Sequence, residues 1–187
     1  MLSVSRPANS LPPGVALERD VLFGTGGARP LRMHLLRPAA RHPRPAPALV
    51  YIYGGAWLRG SRDTGLEVLA SFAARGYLCA SIEYRHSGEA RFPAQIEDCK
   101  CAVRYLCAHA DALAIDPDRI GVWGPSAGGH LAACLGTTAR VPELEGDGGW
   151  SGFSSAVRAV CDWYGPSDFL QMQRAVLPGG MAHDSPD

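Results

Sequence analysis

Lysine is nearly missing from this chain: its 18 basic residues are 17 arginines and Lys100. Asp and Glu together also number 18, so the formal charge is zero and the basic excess of a nucleic-acid-binding surface is absent. The zero conceals a gradient. Residues 1–62 carry nine Arg against Glu18 and Asp20, a net of +7, while residues 63–187 carry nine bases against sixteen acids, a net of −7. This places a dipole on the surface rather than a binding patch. Long apolar runs are missing too. The longest, residues 46–58, is interrupted by Pro47, Gly54 and Gly55 and falls short of the ~18 residues that span a bilayer. The N-terminus, MLSVSRPANSLPPG, has no continuous apolar segment and is broken by Pro7, Pro12 and Pro13, so it does not read as a signal peptide. We expect a soluble, cytoplasmic chain without a membrane span.

Metal-type cysteine spacing is also lacking. None of Cys79, Cys99, Cys101, Cys107, Cys134 and Cys161 forms a C-x2-C pair, and Cys99 and Cys101, two apart on a predicted helix, cannot share a face. Reduced thiols within core segments are expected, with no disulfide, metal or cofactor. What is present suffices for one domain: 187 residues, 47% of them apolar, with 22 Gly and 15 Pro marking many turns but no low-complexity tract or repeat.

Residues 15–23 read as a strand, Gly24 to Gly27 as a hairpin turn, and the alternation of Leu31, Met33 and Leu35 with Arg32, His34 and Arg37 as a half-buried second strand. Pro38, Pro43, Pro45 and Pro47 fill a connection that excludes helix and central strand. Residues 49–53 and 77–84 are continuous apolar runs of the kind buried parallel strands require. Between them, Thr64 to Glu67 fits a capping box before a helix whose apolar face holds Leu66, Leu69, Phe72 and Ala73. Pro93 opens a longer helix, and an Asp116-Pro117-Asp118 turn precedes the strand at Ile120. A helix over 127–138 and a strand over 157–164 follow. A hairpin succeeded by alternating strands and helices predicts an α/β domain, with a mostly parallel sheet covered by helices on both faces.

Gly124-Pro125-Ser126-Ala127-Gly128 matches G-x-S-x-G, with an apolar strand leading in and a helix leading out. This is the strand-turn-helix setting of a nucleophile elbow, where glycine is required at 124 and 128 and Ser126 stands at a helix N-terminus. Tyr53-Gly54-Gly55-Ala56-Trp57 follows the strand at 49–53. Backbone N–H groups at Gly54, Gly55 and Ala56, with that of Ala127, would form an oxyanion hole for acyl transfer. Trp57 and Tyr84 are candidate pocket walls and equally candidate core aromatics.

These motifs, with RGYLCASIEYR, FPAQIEDCKCAVRYL, DPDRIGVWGPSAGGHLA and VCDWYGPSDF, resemble the α/β-hydrolase family from about residue 48 onward. Within it they are similar to the esterase/lipase branch, which includes feruloyl-esterase-like and hormone-sensitive-lipase-like enzymes and kynurenine formamidases. The resemblance implies metal-free cleavage of a small carboxylic ester through an acyl-serine on Ser126, with an arylformamidase or amidase and a non-catalytic binding protein as the alternatives. It also implies His before the paired glycines, where this chain has Tyr53, which puts the loop geometry in question. The fold orders its triad as Ser, acid, His. After Ser126 only His130, on the following helix, and His183 remain; Asp168 with His183 is a candidate pair, though the resembling family gives Gly165 to Asp168 no acid role. Two further strand-helix units are expected after residues 157–164, so the reading is a single α/β-hydrolase domain over 1–187 that lacks its last strands, acid and base, with an exposed apolar sheet edge. Oligomeric state is not encoded in these patterns.

Overall fold

A computed structural model describes residues 11–38 and 45–172. β1 (Val15–Gly26) and β2 (Arg29–Pro38) form the antiparallel hairpin, but β1 runs on through Gly24, Thr25 and Gly26, which the sequence assigned to the turn. Bulges between Glu18 and Val21 and between Leu22 and Gly24 absorb the extra residues, so that Gly26 still pairs with Arg29. Of Gly24 to Gly27, Gly27 alone takes the left-handed conformation, at φ 59°.

β3 (Ala46–Ile52), β4 (Leu78–Ile82), β5 (Ile115–Pro125) and β6 (Ala159–Trp163) complete one sheet in the order β1-β2-β4-β3-β5-β6. β2 pairs antiparallel with β4, and every pair beyond it is parallel. The expected mostly parallel α/β sheet with an N-terminal hairpin is therefore what forms. Pro47 does lie in a central strand, contrary to the sequence reading. It sits opposite a register shift in which Ala46 pairs with Ile115 and Ala48 with Ile120, so no ladder N–H is needed from it. The same shift takes the Asp116-Pro117-Asp118 segment into β5, with Asp118 N donating to Asp116 Oδ1 at 3.0 Å, instead of leaving it as a turn before the strand.

α1 (Leu66–Ala73) packs on one face, where Phe72 meets Trp123 and Gly65 lies against the Tyr51 ring. The expected capping box is not made: Gly65 is the N-cap, Thr64 is exposed, and Asp63 O takes Leu66 N at 3.2 Å. Close contact with Tyr51 leaves no room for a side chain at that cap. α2 (Ala94–Ala108), the short α3 (Ala110–Leu113) and α4 (Ala127–Thr137) follow, and α2 and α4 pack together.

α2 is enclosed around most of its circumference, so the consecutive Cys99, Lys100 and Cys101 all have no exposure. Lys100 Nζ donates to Thr138 O and Glu145 Oε1, both at 2.6 Å, and Arg104 Nη1 donates to Glu145 Oε2 at 2.7 Å. These bonds tie the loop after α4 onto the helix. All six cysteines are free; Cys79, Cys99 and Cys101 are buried, but Cys161 is exposed on β6 instead of lying in the core. Every residue of β6 is exposed, Val160 and Trp163 included, which is the apolar sheet edge the sequence predicts. Among the described residues no helix is long and apolar enough to cross a membrane.

Candidate active site

Ser126 joins β5 to α4 with φ 53° and ψ −123°, a conformation that a residue with a Cβ adopts only under constraint. The constraint is visible. Ser126 N donates to Trp163 O at 2.8 Å, and its carbonyl accepts His130 N at 3.0 Å to close the first turn of α4. A Cβ on Gly128 would collide with Ile52 O and lie 2.8 Å from Tyr53 O; one on Gly124 would lie 2.6 Å from the Gly128 carbonyl carbon. Strand and helix thus cross at backbone contact, and the chain between them is pushed out with Ser126 at its apex.

The loop after β3 touches this elbow. A Cβ on Gly54 would lie 2.7 Å from Pro125 O and 3.3 Å from Ser126 Cβ. Gly55, Ala56 and Trp57 have successive φ values of 125°, 54° and 60°, and Gly55 O accepts Leu58 N at 3.0 Å and Arg59 N at 3.2 Å. Gly54 is thereby brought against the elbow, with Gly55 and Ala56 following it in the loop and Ala127 following Ser126 in the chain. Tyr53, which stands where the resembling family has His, is a buried strut beneath the loop. Its ring stacks on Tyr84 at 4.6 Å, Tyr84 Oη donates to Tyr53 O at 3.1 Å, and the Tyr53 hydroxyl meets His86 Nε2 at 3.1 Å. Burial pushes the Tyr53 phenol up to about 12, so it stays protonated.

Of the two candidate pocket aromatics, Tyr84 is wholly buried and belongs to the core. Trp57 instead walls a cavity of about 450 Å³, together with Phe92, Gln95, His130, Leu131 and Phe169. His130 is a packing residue, set edge-on between Trp57 at 5.3 Å and Phe169 at 5.0 Å, with Nε2 3.4 Å from Cys134 Sγ. Burial lowers its pKa against the opposing pull of Asp162, which keeps the wall neutral. Phe92, Gln95 and Phe169 were not singled out in the sequence. The usable signal was Phe92-Pro93, since a helix opened by Pro after a buried strand begins at the same sheet edge as Ser126.

No described histidine hydrogen-bonds to Ser126 Oγ. His34 is buried on β2 and accepts Asp20 N at 3.1 Å, His86 is engaged by Tyr53, and His109 ends α2. Asp168 follows β6, is exposed, and accepts Gln171 N at 3.2 Å and Gln171 Nε2 at 3.0 Å, which makes it the cap of a turn. His183 lies outside the described residues.

The chain is similar to proteins already known. The chain is 39% identical over 152 residues to the esterase LipC of Mycobacterium tuberculosis, covering 81% of this chain and 37% of that protein. A bifunctional GH43-CE protein of Bacteroides eggerthii superposes with a TM-score of 0.76 at 34% identity, over 84% of this chain and 24% of that one. A thermophilic esterase of Thermogutta terrifontis gives 0.68 at 30% identity, over 79% and 52%. The chain spans about a third of the length of the curated relatives it matches, at 37%, 36% and 31% for three of them. The model of the BD-FAE family matches residues 33–186, so the chain belongs to the BD-FAE family and has the α/β-hydrolase fold.

Proposed function

We propose that the chain carries the nucleophile and oxyanion hole of a serine carboxylic ester hydrolase. The observation behind this reading is the conformation of Ser126, which projects a hydroxyl from the sheet edge at the N-terminus of α4, with the Gly54 loop against it. Ser126 Oγ attacks the ester carbonyl carbon and gives its proton to a base. The carbonyl electrons move onto oxygen, facing N–H groups from Ala127 and from Gly54, Gly55 and Ala56. Collapse breaks the bond to the alkoxy group, which leaves as the alcohol with that proton, and water then releases the acid and restores the serine. The base and the acid that orients it come from outside the described residues. A cytoplasmic location belongs to the same proposal and is supported by six free cysteines, three of them buried. A fluorophosphonate probe tests it: labelling of the parent that disappears in Ser126→Ala is expected, and labelling of both or of neither would refute the assignment.

A further inference from the structure

Gln95 lies in the first turn of α2, is 3% exposed, and lines the cavity walled by Trp57 and His130. One amide hydrogen is used, in a bond from Nε2 to Ala90 O at 2.7 Å. That bond also orients the amide, since a carbonyl can accept only from the nitrogen. Oε1 receives no hydrogen bond from the described residues, and Gln95 itself lines the cavity. The other described walls are Trp57, Phe92, Leu131 and Phe169, with Ser87 and His130 as the polar ones and no Asp, Glu, Lys or Arg among the described residues. A site of this composition takes a neutral, largely apolar group, and Gln95 Oε1 offers it an acceptor in addition to the Ser87 hydroxyl. The cavity begins at His130, one turn along α4 from Ser126, and at Trp57, two residues beyond Gly55, so a group attached to a reacting carbonyl can reach it.

We propose that this cavity is a subsite for one side of the ester and that Gln95 Oε1 reads a hydroxyl there, so that preferred substrates carry a hydrogen-bond donor at the buried end of an apolar group. The proposal rests on the hydrolase reading of Ser126. The physical basis is asymmetric. An apolar wall distinguishes ligands of similar size weakly, whereas a buried carbonyl left without a donor penalises the ligand that fails to supply one.

The test is isothermal titration of the 187-residue chain, as Ser126→Ala to prevent turnover, with methyl hexanoate and its terminal hydroxy and methoxy derivatives. The ratio of the dissociation constants for methyl hexanoate and the hydroxy ester should fall about tenfold on Gln95→Met, the equivalent of one neutral hydrogen bond. An unchanged ratio overturns the proposal. Should Gln95→Met fail to fold, the other two ligands decide: tighter binding of the hydroxy than of the methoxy ester supports the subsite, and equal or weaker binding overturns it. Fluorophosphonate labelling of the parent separates the two readings. Discrimination without labelling sinks the hydrolase assignment alone, and labelling without discrimination sinks the subsite alone.

Discussion

Removing Glu145 should destabilise the chain more than removing Lys100, although Lys100 is the more deeply buried, with no side-chain exposure against 30% for Glu145. The Glu145 carboxylate receives Lys100 Nζ at 2.6 Å, Arg104 Nη1 at 2.7 Å and Ser155 Oγ at 2.8 Å. Glu145→Ala strands two enclosed cations beside each other without a counter-charge. Breaking a buried pair from one side costs roughly 3–5 kcal/mol, and because water reaches this carboxylate we expect the lower end, about 3 kcal/mol. Lys100→Met keeps the aliphatic stem and removes one of the two cations. Glu145 then retains Arg104 and Ser155, and Thr138 O retains Val141 N at 3.1 Å, so the cost should be about 1 kcal/mol. With a urea dependence of ~2 kcal/mol per molar, the midpoints should drop by about 1.5 M and 0.5 M. The acid limb provides a second reading. Burial pushes the Glu145 carboxyl up, and Lys100, Ser155 and Arg104 outweigh it, leaving the group below its usual 4.5. Its contribution is therefore fully present above about pH 4.5 and is lost as pH falls toward the lowered value, a slope that Glu145→Ala should remove. If Lys100→Met lowers the midpoint as much as Glu145→Ala, the reasoning is refuted.

Gly128→Ala should slow fluorophosphonate labelling of Ser126 at least ~100-fold by displacing the elbow from Ile52 O, whereas Gly88→Ala, with no atom near its would-be Cβ, should leave the rate unchanged. Iodoacetamide followed by peptide mass spectrometry should modify Cys161 in the native chain and spare Cys79, Cys99 and Cys101, which are enclosed and whose thiols burial pushes up. His34 and His130 both have pKa values lowered chiefly by burial, so the unfolded chain binds more protons as pH falls below 6.5. Stability from their neutral forms is complete above that value and should decline as pH falls below it, read as a falling thermal midpoint; a flat profile would contradict it.

The elbow and the glycine loop were legible because their chemistry depends on residue types that few other settings require: Gly128 and Gly54 sit where a side chain would strike backbone. The parallel core followed from the apolar runs 49–53 and 77–84, since only a strand covered on both faces tolerates such composition. The failures share a cause, which is tertiary context overriding a local rule. Pro47 enters a central strand because a register shift frees it from the ladder. Thr64 is bypassed as a cap because the Tyr51 ring fixes the helix start at Gly65. In the sequence Lys100 is only the single lysine, with no place assigned to it on its helix. It is interior because a partner forty-five positions away, Glu145, neutralises it there, and no local pattern carries that pairing.

The geometry that makes Ser126 chemically interesting also ties it to the least covered part of the fold. Three supports hold its φ of 53°: the β3 backbone against Gly124 and Gly128, the Gly54 loop, and β6. From β6, Trp163 O accepts Ser126 N, and Asp162 Oδ1 accepts Gly165 N at 2.8 Å while crowding Gly129. A conformation of this kind persists only where its surroundings over-determine it, and the energy that holds it is drawn from the packing of those surroundings. β3 is buried and well supplied with packing. β6 is exposed along its whole length, and the Trp163 ring, half exposed, stacks edge-on against Trp123 at 5.1 Å. Local opening is easiest where apolar contacts are fewest. Fraying of β6 would take the acceptor from Ser126 N before it disturbed the core, so whatever packs over Val160 and Trp163 acts on the nucleophile without touching it.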